Sequence, residues 1–325
     1  MTFGLQQGAA DSTSAPPAVP AAEGGAARKI EGRSPWRLGM ARLGHDRASM
    51  IAAGIIVLIV LVAIFAPVFA AITGHGVNQP FYAPVGLTPD GQPLPPNSRF
   101  LLGTDTLGRD LLVRIAYGAR ISLIVGVLAT VITVAVGAAV GLIAGYFGGL
   151  VDSSLARLMD LLLAIPYLLL GISLVTVLGP GLTVVIIVIA ILGWASVGRI
   201  VRGQVISIRE KEYVEAARSL GAGPWRIMFI DILPNVMAPS IVYTTLLIPL
   251  TIVTEASLSF LGVGIPPPTP DWGQMLSDAQ TVYQYGAWWF LVFPSIALLV
   301  TTVAFNIFGD GVRDAFDPRG DQLFV

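Results

Sequence analysis

Residues 212–235 read EYVEAARSLGAGPWRIMFIDILPN, and they put acids, bases, a glycine turn and two prolines between long apolar runs. In a chain that is 54% hydrophobic and 12% charged, such a stretch is predicted to sit at an aqueous face where something docks. Glu210 to Leu220 favours a helix, with Glu215 and Arg218 at i,i+3 spacing and Gly221 where a C-terminal cap belongs. Gly223 and Pro224 open a second short helix, because proline in the first turn removes no intrahelical hydrogen bond. Trp225, Ile227, Met228, Phe229 and Ile230 give that helix an apolar surface, and Pro234 is expected to stop it. The unit is a helical hairpin whose Trp, Met and Phe need cover from protein or lipid headgroups.

The rest of the composition narrows the class. A mean hydropathy of +0.77 places the 325 residues among membrane proteins. A net charge of −1 points to no nucleic-acid partner. Cysteine is absent, which removes disulfides and thiolate metal sites. The two histidines, His45 and His75, fall on opposite sides of the first apolar run and cannot share a site. Neither Lys29 nor Lys211 follows a glycine, so the phosphate loop GxxxxGK[ST] is missing. These absences argue against an enzyme.

Working outward from the hairpin, the sequence predicts an all-α integral membrane protein with six transmembrane helices, near 48–72, 119–146, 155–178, 181–200, 237–261 and 287–308. Residues 1–47 form a basic cytoplasmic tail, Ala/Gly/Pro/Ser-rich and disordered in its first part. Span 48–72 follows, then an extracytoplasmic loop and interfacial elbow over 73–118. The core transmembrane domain covers 119–308, with a cytoplasmic loop at 201–236 and an outer loop at 262–286, and 309–325 form a C-terminal tail. Basic residues set the orientation. Arg28 to Arg47 precede the first span, and Arg202, Arg209, Lys211, Arg218 and Arg226 crowd 201–236, so both termini are expected in the cytoplasm. Trp288 and Trp289 suit an outer interfacial belt.

One cluster conflicts with that orientation: Arg99, Arg109, Arg114 and Arg120 fall outside. Asp105 to Arg109 and Asp110 to Arg114 are spaced for acid-before-base pairs, which would neutralise part of the elbow. In the second span Gly137, Gly141 and Gly145 leave one helix face as bare backbone, suited to close packing or to a gliding contact. Prolines at 67, 166, 239, 249 and 294 can kink or break spans.

Glu215-Ala216-Ala217, three residues, Gly221, then Leu233-Pro234 resembles the EAA loop of ATP-binding-cassette importer permeases. The family's isoleucine would fall at Asp231, with Ile232 one place later. Four further blocks resemble the C-type subunit of the dipeptide, oligopeptide and nickel permease group: FLLGTDTLGRDLLVRIAYGARISL at 100–123, AGYFGGLVDSSLARLMDLLLAIP at 144–166, EASLSFLGVGIPPPTPDWGQML at 255–276 and AFNIFGDGVRDAFDPR at 304–319. The resemblance covers nearly everything after residue 48. It implies a type I importer permease fold in a bacterial inner membrane, with a second homologous permease subunit, two ATPase subunits and an extracytoplasmic substrate-binding protein as partners. ATP and magnesium would belong to the ATPase subunits, with no cofactor in this chain. Glu215, Ala216, Ala217, Arg218, Gly221, Gly223, Pro224, Leu233 and Pro234 would couple the bundle to the ATPase. Peptides are the expected cargo, with glutathione or nickel and other metal chelates as alternatives in the same family.

Asp160 and Glu255 are ionisable residues inside predicted spans, where charge is costly unless compensated. Asp160 is expected to pair with Arg157 or to lie at the headgroups beside Asp152; Glu255 is a candidate for an outer gate or for packing against the elbow arginines. Pro266, Pro267, Pro268, Asp271 and Trp272 make a stiff outer segment, a candidate platform for the binding protein. Asp310, Arg313, Asp314 and Asp317 read as helix capping and local ion pairing. An ion-coupled secondary transporter is the rival class, but neither an inverted repeat nor a midplane ion site is legible.

Overall fold

A computed structural model of the chain describes residues 35–316; the expectations for the N-terminal tail up to residue 34, for Asp317 and for the rest of the C-terminal tail lie outside them. Among the described residues the regular elements are helices: α1 (Pro35–His45), α2 (Arg47–Ile64), α3 (Ala66–Thr73), α4 (Leu111–Phe147), α5 (Gly149–Ala164), α6 (Tyr167–Leu178), α7 (Leu182–Arg209), α8 (Glu212–Ser219), α9 (Pro224–Arg226), a π segment (Ile227–Ile232), α10 (Leu233–Phe260), α11 (Trp272–Tyr283) and α12 (Trp288–Phe316). α2, α4, α7, α10 and α12 are long and apolar enough to cross a membrane, and α5 with α6 form a further apolar pair bent by 92°. The helices are therefore five clear spans, or six if the bent pair counts as one.

The predicted first span is two helices. Pro67 lacks an N–H and crowds the carbonyl four residues earlier, so α2 ends at Ile64 and α3 restarts beyond Phe65. The Val68 N–H turns to Phe65 O, which leaves the carbonyls of Ala63 and Ile64 outside the helix ladder. Both accept hydrogen bonds from Arg120 on α4, through Nε at 3.1 Å and Nη2 at 3.2 Å.

α4 starts at Leu111, before the predicted boundary, because the Asp110 carboxylate caps it by accepting from the N–H groups of Leu112 and Val113. Its 37 residues rise about 55 Å, so its first turns stand beyond a hydrocarbon layer of roughly 30 Å. α7 lies along the bare face of α4. A Cβ at Gly137, Gly141 or Gly145 would lie 2.8, 2.6 or 2.9 Å from the carbonyl oxygens of Trp194, Gly198 or Arg202. Three glycines at four-residue spacing thus meet three carbonyls at the same spacing, and the close packing expected from the sequence is present.

Between α5 and α6 the chain breaks at Ile165, whose extended conformation (φ −88°, ψ 133°) is the one favoured before proline, here Pro166. α10, α12 and α2 complete the bundle, with α11 laid between α10 and α12 at the α4 N-terminal end. That 12-residue helix replaces part of the expected stiff loop. The C-terminal block also differs: Asp310, Arg313 and Asp314 lie within α12, which runs on to Phe316, so they are not caps. Of the two expected belt residues, Trp288 is exposed, whereas Trp289 is buried with its indole N–H donating to Thr104 O at 3.3 Å.

Candidate coupling hairpin and outer carboxyl pair

α8 ends in a six-to-one turn. Gly221 adopts φ +83°, the Ala222 N–H donates to Ala217 O and the Gly221 N–H to Arg218 O, both at 3.0 Å. A side chain at 221 would carry the left-handed penalty of about 1–2 kcal/mol. Nothing crowds the position, so conformation alone selects glycine there. One side chain roots α8: Val214 is fully buried in a cluster with Leu142 of α4, Val205 of α7 and Ile227, Met228 and Ile232 of the π segment. Its burial contributes about 1.5–3 kcal/mol. The opposite face is open, with Glu215, Ala216, Arg218 and Gly221 exposed and Ala217 half-buried. At the tip Leu220 is 89% and Trp225 64% exposed.

The hairpin does not end at Pro234. Its second arm continues from α9 through the π segment into α10 without interruption. Within the π segment hydrogen bonds span five residues, as in Leu233 N–H to Met228 O, and Pro234 enters in the first turn of α10 where a missing N–H costs least. Pro234 therefore lies inside a continuous helical arm and does not terminate it. Glu215 and Arg218 form no ion pair among the described residues; they border a cleft of about 490 Å³ with Tyr146, Arg209 and Glu210. Arg209, not singled out from the sequence, caps α4 by donating from Nη1 to Gly145 O and Tyr146 O, both at 3.2 Å. Its position in the last turn of α7 was the available signal.

The charges inside the bundle pair differently from the local spacing. Asp160 does not pair with Arg157; it reaches Arg199 on α7, and both side chains are about half exposed. Asp152 binds Arg202 with two contacts, one of them 2.6 Å, so α5 is tied to α7 twice. At the elbow, Asp105 holds Arg109 at 2.7 Å and Arg114 at 3.2 Å, all three buried. The expected Asp110–Arg114 pair is absent because Asp110 caps α4 and meets His75 Nδ1 at 2.6 Å. His75 lies between Phe81 and Phe100, and Arg99 sits over both of those rings.

Glu255 is fully buried and pairs with no arginine among the described residues. Ser122 of α4 donates to its carboxyl at 3.3 Å and Ser259 at 3.2 Å, and the buried Asp271 stands at the head of α11. Asp271 Oδ1 accepts from the Gly273 N–H at 3.0 Å, while no protein donor reaches Oδ2. Burial pushes the Asp271 carboxyl above its ordinary range, partly opposed by the backbone N–H of Gly273. Asp271 and Trp272 are thus interior residues and not a docking face; the Trp272 indole donates to Ile115 O at 3.1 Å. Pro266, Pro267 and Pro268 remain exposed.

A 37-residue helix packed on α7 and a surface hairpin continuous with α10 make the described residues a helical bundle of membrane-spanning type. Comparison with known proteins agrees. Residues 137–321 match the binding-protein-dependent transport system inner membrane component family, and residues 34–89 match the N-terminal transmembrane domain of oligopeptide transport permease C. The chain is 42% identical over 301 residues to the oligopeptide transport system permease protein OppC of Bacillus subtilis, covering 92% of this chain and 95% of that one. It is 44% identical over 228 residues to the dipeptide transport system permease protein DppC of the same organism, covering 70% and 71%. Against the glutathione transport system permease protein GsiD of Pectobacterium atrosepticum, identity is 37% over 290 residues, covering 88% and 92%. The chain belongs to the binding-protein-dependent transport system inner membrane component family, as a multi-pass permease subunit of the inner membrane.

Proposed function

We propose that this chain is one of two related permease subunits in an ATP-driven importer of di- and oligopeptides, and that the 212–235 hairpin seats in a groove of a cytoplasmic ATPase. The single observation that carries the coupling is the hairpin's construction: one face is rooted through Val214 in α4, α7 and the π segment, while the tip exposes Leu220 and Trp225. A lever needs that combination of a fixed root and an uncovered end. The α5–α6 pair counts as one span, giving six, with both termini and the hairpin cytoplasmic; the basic residues of 201–236 support this orientation. ATPase closure would tilt α8, and the unbroken path through Pro234 would carry the tilt into α10. Glu215 and Arg218, aligned at the cleft with Arg209, would pair with charges on the ATPase. Pro266 to Pro268 would meet the substrate-binding protein, while Glu255 and Asp271 hold the outer segment together from inside. Relatives named for oligopeptide and dipeptide transport support a peptide cargo.

The test is co-purification of the chain with its second permease subunit and ATPases, followed by peptide uptake in proteoliposomes. Glu215→Lys and Gly221→Pro are expected to lose ATPase retention and uptake while the permease pair stays folded. Retained assembly and transport in both variants would defeat the coupling. Mass spectrometry of the ligand carried by the substrate-binding protein addresses the cargo: a peptide is expected, and glutathione or a metal chelate overturns the peptide assignment.

A further inference from the structure

The four outward arginines are not equally accounted for. Asp105 pairs with both Arg109 and Arg114, and Arg99 rests on the rings of Phe81 and Phe100. Arg120 has no carboxylate within salt-bridge distance among the described residues. Its Nε and Nη2 serve the two carbonyls freed by the α2 break, its guanidinium lies over the Tyr117 ring at 5.3 Å, and Nη1 has no protein partner among those residues. The depth of this charge follows from α2, whose 18 residues rise about 27 Å and nearly span the hydrocarbon layer. A side chain bonded to Ala63 and Ile64 at the end of α2 therefore lies at headgroup level, on the side opposite Arg47.

Beside Arg120 runs a groove of about 510 Å³ between α2, α4 and α12, walled by Val60, Ile64, Leu123, Val127, Leu128 and Phe305. Val60, Ile64, Val127 and Leu128 are exposed, and Arg120 supplies the only charge in the lining. From Arg120 to Leu128 along α4 is eight residues, about 12 Å towards the membrane interior. One cation at headgroup depth above an apolar trough is complementary to an anionic amphiphile: phosphate against guanidinium, the upper part of an acyl chain in the groove.

We propose that this groove is a binding site for an anionic phospholipid of the extracytoplasmic leaflet, with its phosphate on Arg120 and one acyl chain along Leu123, Val127 and Leu128. The bound phosphate supplies the counter-charge the elbow lacks and fastens the α2 break to α4. The site depends on membrane placement and not on the cargo or on ATPase docking, so its test stands apart from theirs.

The assembled transporter is placed in nanodiscs of mixed phosphatidylglycerol and phosphatidylcholine with matched chains, and retained lipid is read by native mass spectrometry. Wild type is expected to enrich phosphatidylglycerol at least tenfold over phosphatidylcholine. Arg120→Gln should abolish the enrichment and Arg120→Lys should keep most of it. Leu128→Trp, which fills the groove and leaves Arg120 intact, should also release the lipid; it decides the matter if Arg120→Gln does not fold. The chain has no cysteine, so a photo-crosslinker on Leu128→Cys reports what occupies the groove. A phosphatidylglycerol adduct is expected. Unchanged enrichment in a folded Arg120→Gln or Leu128→Trp protein, or an adduct to another protein subunit, overturns the proposal.

Discussion

Gly141→Ala tests whether α4 and α7 form one rigid body. The new methyl group would lie 2.6 Å from Gly198 O, 2.9 Å from Val201 Cβ and 3.0 Å from the Arg202 backbone nitrogen. Two of these atoms are backbone, so no rotamer change relieves the clash and the helices must separate. Overpacking of this kind costs about 1–3 kcal/mol, against which alanine returns up to ~1 kcal/mol of helix propensity. The net effect is destabilisation by up to about 2 kcal/mol, a fall in Tm of up to about 8 °C at about 2–4 °C per kcal/mol. Gly203→Ala is the control, because Gly203 lies in α7 with nothing within 4 Å of its added Cβ, and only the propensity gain remains. Thermal scanning of both purified variants in one detergent reads the difference. A Gly141→Ala protein as stable as Gly203→Ala would refute the rigid contact and favour a loose, gliding interface.

Asp105→Asn is expected to cost about 3–5 kcal/mol by leaving Arg109 and Arg114 buried without their carboxylate; an Asp90→Asn control at an exposed position should be neutral, and equal melting temperatures would refute the elbow assignment. For Asp271 the folded state raises the carboxyl above its unfolded value, so its contribution to stability is full in acid and is lost as pH rises through the raised value. Asp271→Asn should therefore gain stability over wild type towards neutral pH and show a flatter profile of Tm against pH; parallel profiles would exclude a carboxyl raised by burial at 271.

The sequence alone determined the helical class, the apolar runs and the hairpin, because each is a local property. Hydrophobic length, the turn at Gly221, the N1 role of Pro224, the pre-proline break at 166 and the glycine stripe of α4 depend on neighbouring residues and on backbone sterics. Tertiary structure decided the partners of the charges. Asp110 lies at ion-pair spacing before Arg114, yet it caps α4 and meets His75, 35 residues away, while Asp160 finds Arg199 across two helices. Pro234 shows the same limit: read locally it ends a helix, but the π segment before it absorbs the missing donor and the chain runs on as a span. Glu255, Asp271 and Trp272 looked like surface or pathway residues because their burial is created by α4 and α11 packing from distant parts of the chain. Spacing sets what a residue can reach along its own helix; a buried charge takes whichever partner spares it desolvation, and only the packed helices bring that partner within reach.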